Sequence, residues 1–111
     1  MIRSMSEFRV VPGQAAAFEK AYRDGQFLER ATTNPGFVRG ELIRSADDPD
    51  VFHALAEWRS IEHYRDWQAN YDALPQEPSR AMFAVLAEPP ISSIATSWRQ
   101  SSSVRGRLAS R

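Results

Sequence analysis

Residues Ala56 to Trp67, AEWRSIEHYRDW, have to be a strand at one end and a helix at the other, and the rest of the chain must accommodate that change. Ser60 stands at the junction, where a helix N-cap belongs, because its hydroxyl can accept from the free backbone N–H groups of the first turn. Glu62 falls in that turn, where the helix dipole favours a negative charge. Two tryptophans, a tyrosine and a histidine lie within these twelve residues. Such density requires either a heavily aromatic core or an aromatic-walled pocket.

The neighbouring segments follow from the same kind of reading. Residues 3 to 11 carry Phe8, Val10 and Val11 and read as a first strand, halted at the Pro12-Gly13 turn. A helix is predicted from about Gln14 to Thr32, with Phe18, Ala21, Tyr22, Gly25 and Leu28 as its buried stripe. Phe27 falls nearly opposite that stripe and is a candidate for a subunit contact. Gly25 should weaken this helix by about 1 kcal/mol relative to Ala. Asn34-Pro35-Gly36 ends the helix, Phe37 to Arg44 is the second strand, and Asp47 to Asp50 turns into the third, Val51 to Arg59. A second main helix is predicted from about Ile61 to Ala73, with Tyr64, Trp67, Tyr71 and Leu74 as its stripe. A short helix over Ser79 to Ala87 and a last strand over Ile91 to Trp98 complete the set.

The order β-α-β-β-α-β is the ferredoxin-like plan, an α+β fold. On the third strand Phe52, Ala54, Ala56 and Trp58 face one way, and Val51, His53, Leu55 and Glu57 the other. Neither face is cleanly polar, and a strand apolar on both faces is normally covered on both. One helical layer covers one face only, so the other is expected to meet a second copy in a homodimer. Residues 1–98 form the expected domain. Residues 99–111 read as a polar tail, rich in Ser and Arg.

Composition removes several function classes. The chain has 14 basic and 14 acidic residues, so bulk charge points to neither nucleic acid nor a membrane surface. The balance is uneven: no acid follows Glu88, whereas Arg99, Arg105, Arg107 and Arg111 do. The absence of cysteine excludes disulfides, thiolate metal sites and cysteine nucleophiles, and fits a cytoplasmic protein. The opening MIRSMSEF lacks the apolar core of a signal peptide, and the longest apolar run, Met82 to Ala87, is too short to span a bilayer. There is no phosphate-binding glycine loop, no GxSxG and no HExxH. With two histidines and no cysteine, no metal site is expected.

What remains is the aromatic cluster. Tyr64, Trp67 and Tyr71 at this spacing are more often core than pocket wall, and Trp58, on the face it shares with Phe52, is core by default. His53 lies mid-strand, where a satisfied or interface histidine is ordinary. His63, four residues before Trp67, can share its helix face.

The sequence of Pro12-Gly13, then Asn34-Pro35-Gly36-Phe37, then Glu57-Trp58-Arg59-Ser60 leading to Tyr64 and Trp67 resembles the antibiotic biosynthesis monooxygenase family over about residues 5 to 98. The resemblance implies a dimeric α/β barrel of ferredoxin-like subunits. For the quinone-forming members it implies oxidation of a polycyclic phenol or anthrone by O₂ with neither metal nor flavin. Trp58 matches their strand-end tryptophan, but the asparagine they place four residues earlier is Ala54 here. For the haem-degrading members of the wider superfamily, Trp67 matches the tryptophan that presses on the porphyrin. Their axial histidine falls at Glu77 and their first-strand asparagine near Ser6, leaving His63 as the nearby alternative ligand.

Three functions are therefore expected in order. The first is cofactor-independent, O₂-dependent oxidation of a cyclic aromatic substrate, with Trp58, Trp67, Tyr64, Tyr71 and Phe52 around it and His63 or His53 as proton acceptor. The second is haem binding or degradation. The third is a non-catalytic dimer that binds a small ligand.

Overall fold

A computed structural model describes residues 1–70 and 76–96. Its strands are β1 (Ile2–Arg9), β2 (Phe37–Arg44), β3 (Val51–Trp58) and β4 (Ile91–Thr96). Its helices are α1 (Ala15–Asp24), α2 (Phe27–Ala31), α3 (Ile61–Ala69) and α4 (Gln76–Ala84). The strands form one antiparallel sheet in the order β2-β3-β1-β4, the ferredoxin-like arrangement. None of the described helices is long and apolar enough to cross a membrane. Tyr71, Leu74, Trp98 and the tail from 99 to 111 lie outside the described residues.

The junction behaves as its sequence requires. Ser60 has extended backbone and its Oγ accepts from the His63 backbone N–H, so α3 begins one residue later. Phe52, Ala54, Ala56 and Trp58 all face the helices, as strand alternation demands, and pack with the core.

The long first helix is corrected by the structure. Residues 14 to 32 form two helices, broken at Gly25 and Gln26, because Gln26 takes left-handed backbone with φ 51°. The break redirects Phe27, which is 5% exposed and stacks 5.3 Å from Tyr22 in the core, not on an outer face. It also explains Gly25: a Cβ there would lie 2.5 Å from the Phe27 ring. The glycine costs helix propensity and makes room for an aromatic side chain to fold back.

The core has two parts. Phe8, Val10, Phe18, Phe27, Phe52 and Met82 form one cluster, with Phe18 4.8 Å from Phe52 and 5.2 Å from Phe8. Ala31, Trp58 and Tyr64 form the other. Trp67 is half-buried and touches both. Between them the helix-facing side of the sheet carries only small residues. Ser4 and Ser6 on β1 stand directly opposite Ala56 and Ala54 on β3. Ala54 and Ala56 pack at the edges of the two clusters yet remain partly accessible in the middle of a central strand.

Candidate functional site

That gap is a cavity of about 380 Å³ between the sheet and the helices. Ser4, Ser6, Ala54 and Ala56 form its floor, with Ser92 at the β4 edge. Aromatic rings make its walls: Trp58, Tyr64 and Trp67 on one side, Phe8, Tyr22 and Phe27 on the other. A cavity results because bulky residues at the two ends of the strands hold the helices away from a floor that has almost no side chain.

Each wall is fixed by its element. Trp58, 1% exposed, is the last residue of β3 and meets Phe37 edge-on at 5.3 Å and Tyr64 edge-on at 5.7 Å. Trp67, one turn beyond Tyr64 on α3, lies 6.2 Å from Trp58. Such offset and edge-on pairs stabilise beyond their buried area, by about 1 kcal/mol each. Burial pushes the Tyr64 phenol above its usual pKa, so it stays protonated and neutral.

The polar groups of the floor are hydroxyls. Trp58 Nε1 donates to Ser4 Oγ at 2.9 Å, and Ser6 Oγ lies 3.0 Å from Ser92 Oγ. Gln68 adds an amide at the rim. Among the described residues no Asp, Glu, His, Lys or Arg lines the cavity. No local motif in the sequence marks Ser4 or Ser92 as a site residue. The available signal was the match of small residues at alternate positions of β1 and β3, which becomes visible only once the strands are paired in register.

The structure brings Trp58, Tyr64 and Trp67 together around the cavity and puts Phe52, His53 and His63 elsewhere. Phe52, 2% exposed, is packed into the first core cluster against Phe18 and is not on the cavity surface. His53 is on the far face of the sheet, because strand alternation turns it away from Ala54; its Nε2 lies 3.2 Å from Glu7. His63 is held at the strand-helix junction. Its Nδ1 lies 2.7 Å from Ser60 Oγ, and its ring covers Gly36 so closely that no Cβ fits there. Asn34 ties the same corner together: its side chain donates to the His63 carbonyl at 3.0 Å and accepts the Gly36 N–H at 2.8 Å. The Asn34-Pro35-Gly36 turn is thus the seat of His63.

Among the described residues the cavity lining supplies no imidazole, thiolate, thioether or carboxylate to a haem iron, and of its oxygens the Tyr64 phenol is held protonated by burial. Glu77, at the position of the axial histidine in haem-degrading relatives, is exposed on α4 and away from the cavity lining. Among the described residues no group of three metal-ligating side chains converges anywhere.

Solved structures with this fold are readily found. A protein from Nitrosomonas europaea described as a putative antibiotic biosynthesis monooxygenase superimposes with a TM-score of 0.74 at 20% identity, covering 89% of this chain and 100% of its own. One of the same description from Bordetella bronchiseptica gives 0.72 at 22% identity, covering 88% and 97%. SnoaB, a cofactor-independent oxygenase from Streptomyces nogalater, gives 0.71 at 23% identity, covering 91% and 95%. No curated protein matches the chain. The sequence pattern of one family matches residues 1–74, from β1 through the junction, both tryptophans of the cavity wall and the end of α3. This chain belongs to the antibiotic biosynthesis monooxygenase family.

Proposed function

We propose that the cavity binds a planar cyclic phenol or anthrone and that the protein catalyses its oxidation by O₂ without a metal or organic cofactor. The observation that carries this reading is an aromatic-walled cavity of about 380 Å³ whose described polar lining consists of neutral hydroxyl and amide groups. Such a lining suits chemistry in which the substrate itself supplies the electrons. An ionised, electron-rich ring passes one electron to O₂, and the resulting radical and superoxide combine at carbon. At an anthrone CH₂ the hydroperoxide then loses water to leave a carbonyl. One oxygen atom enters the substrate and the other leaves as water, whose two hydrogens are the remaining C–H hydrogen and the proton that the peroxide anion takes back from solvent. The protein holds the ring between Trp58, Tyr64 and Trp67, keeps bulk water off the radical pair, and stabilises the anion through fixed donors.

The histidines take no part in this reading. His53 faces away from the cavity and His63 is engaged with Ser60. The first proton leaves to solvent, drawn off by lowering the substrate's own pKa inside the site.

The test is oxygen uptake with anthrone, in the wild type and in Ala54→Leu and Ala56→Leu. Both substitutions put side-chain volume on the cavity floor and should lower uptake at least about tenfold while the fold persists. Ligand binding without oxygen consumption would leave a binding protein and sink the oxygenase reading.

The same reading takes the chain as a homodimer that pairs through the far face of the sheet. Met5, Ile43 and Ile91 stand on that face, 42%, 40% and 61% exposed. Ile43→Glu should shift the sedimentation coefficient to that of a monomer; a wild type already monomeric at micromolar concentration would refute the pairing.

A further inference from the structure

Ser4 is 7% exposed, lines the cavity, and accepts the Trp58 indole N–H at 2.9 Å. An indole nitrogen can only donate, so this bond occupies a lone pair of the hydroxyl and leaves its hydrogen to donate elsewhere. Among the described residues that hydrogen meets no acceptor. A hydroxyl that already accepts one hydrogen bond is polarised and donates the next one more strongly. Nearly buried at the floor of the cavity and held by Trp58, such a donor favours a negative oxygen over a neutral one.

We propose that Ser4 is a catalytic residue whose hydroxyl binds the substrate oxygen that carries the negative charge, and that Trp58 is the positioning residue that aims it. This rests on the reading of the cavity as an aromatic-substrate site and names the group that recognises the substrate there. It narrows the substrate class to aromatics with an ionisable hydroxyl or enol on the edge that meets β1. Ser6 stands on the same face two residues along the strand, roughly 7 Å away. It shares a hydrogen bond with Ser92 in which either hydroxyl can donate, and it is more exposed than Ser4, so water competes more for its hydrogen. No acid among the described lining residues repels an anion at this place.

The probe is 2-hydroxyanthraquinone, a planar phenol whose visible absorption changes on ionisation, with anthraquinone as its counterpart without the hydroxyl. Tryptophan fluorescence follows binding, and absorbance follows the ionisation of the bound phenol. In the wild type both should bind, and the bound phenol should ionise about one pH unit lower than in Ser4→Ala, a tenfold effect. Ser4→Thr keeps a hydroxyl and should retain the shift. Trp58→Phe keeps a ring but not the N–H and should lose part of it. Where alanine prevents folding, Ser4→Cys, a near-isosteric weak donor, should behave as alanine is expected to. If both ligands bind and the phenol ionises identically with and without the Ser4 hydroxyl, Ser4 has no such role and the cavity reading stands. Failure of both ligands to quench the wild type would overturn the cavity reading, and this inference with it.

Discussion

Trp58 Nε1 donates to Ser4 Oγ at 2.9 Å, a diagonal bond across two paired strands, since in the ladder Trp58 faces Ile2 and Ser4 faces Ala56. The link fixes the ring plane of the largest wall of the cavity and satisfies two buried polar groups at once. Trp58→Phe removes the donor and leaves a smaller ring in its place. It should cost about 1–2 kcal/mol in urea unfolding, mostly for packing and for a hydroxyl stripped of its partner. Trp58→Ala should cost about 3–5 kcal/mol, because it also empties the second core cluster.

Gly36 and His63 form a second close pair. A Cβ on Gly36 would fall within the His63 ring, so Gly36→Ala should destabilise by about 1–3 kcal/mol. Its backbone φ is not positive, and the cost is therefore steric. Adding His63→Ala should relieve most of it, giving strong non-additivity in a double-mutant cycle. Additive costs would show that the loop, and not the ring, resists the substitution.

Gln26 is the described non-glycine residue with positive φ, at the break between α1 and α2. Left-handed backbone costs an ordinary residue about 1–2 kcal/mol, and glycine avoids that cost. Gln26→Gly should raise stability by up to about 1 kcal/mol after its larger unfolded-state entropy is counted. Gln26→Val, branched at Cβ, should lower it. The order of the thermal midpoints Gly, Gln, Val is the check.

On the far face Glu57 pairs with Arg39, whose guanidinium holds the carboxyl below the usual carboxylate range. The folded state thus binds this proton less readily than the unfolded one. Its stabilising effect is present above the ordinary carboxylate pKa and is lost as pH falls through the lowered value. Thermal midpoints measured from about pH 6 down to about pH 3 should decline less steeply in Glu57→Gln than in the wild type. Arg39 is highly exposed, so the difference should be small and should shrink further in high salt.

The fold was legible because its signals are local. Phe37–Arg44 reads as a strand from composition and turns alone, and the structure keeps those bounds. The Ser60 cap needs only its own neighbours. The α1–α2 break was not legible: residues 14 to 32 keep helical spacing throughout, and the interruption arises from Phe27 folding over Gly25. The aromatic walls were half legible. Periodicity placed Trp58, Tyr64 and Trp67 on helix- and sheet-facing sides, but a ring on such a face serves core and pocket alike.

By itself, then, the sequence determined the order of the strands, the face taken by Trp58, Tyr64 and Trp67 and the family pattern across residues 1–74. Only the tertiary structure decided that those aromatics surround space. A cavity is a property of what lies opposite, and here Ser4, Ser6, Ala54 and Ala56 leave the floor low between two packed clusters. The same folding set His53 beside Glu7, seated His63 on Gly36, and placed a serine hydroxyl beside an indole. Residues 54 positions apart meet there through strand register, and no local spacing in the chain encodes that contact.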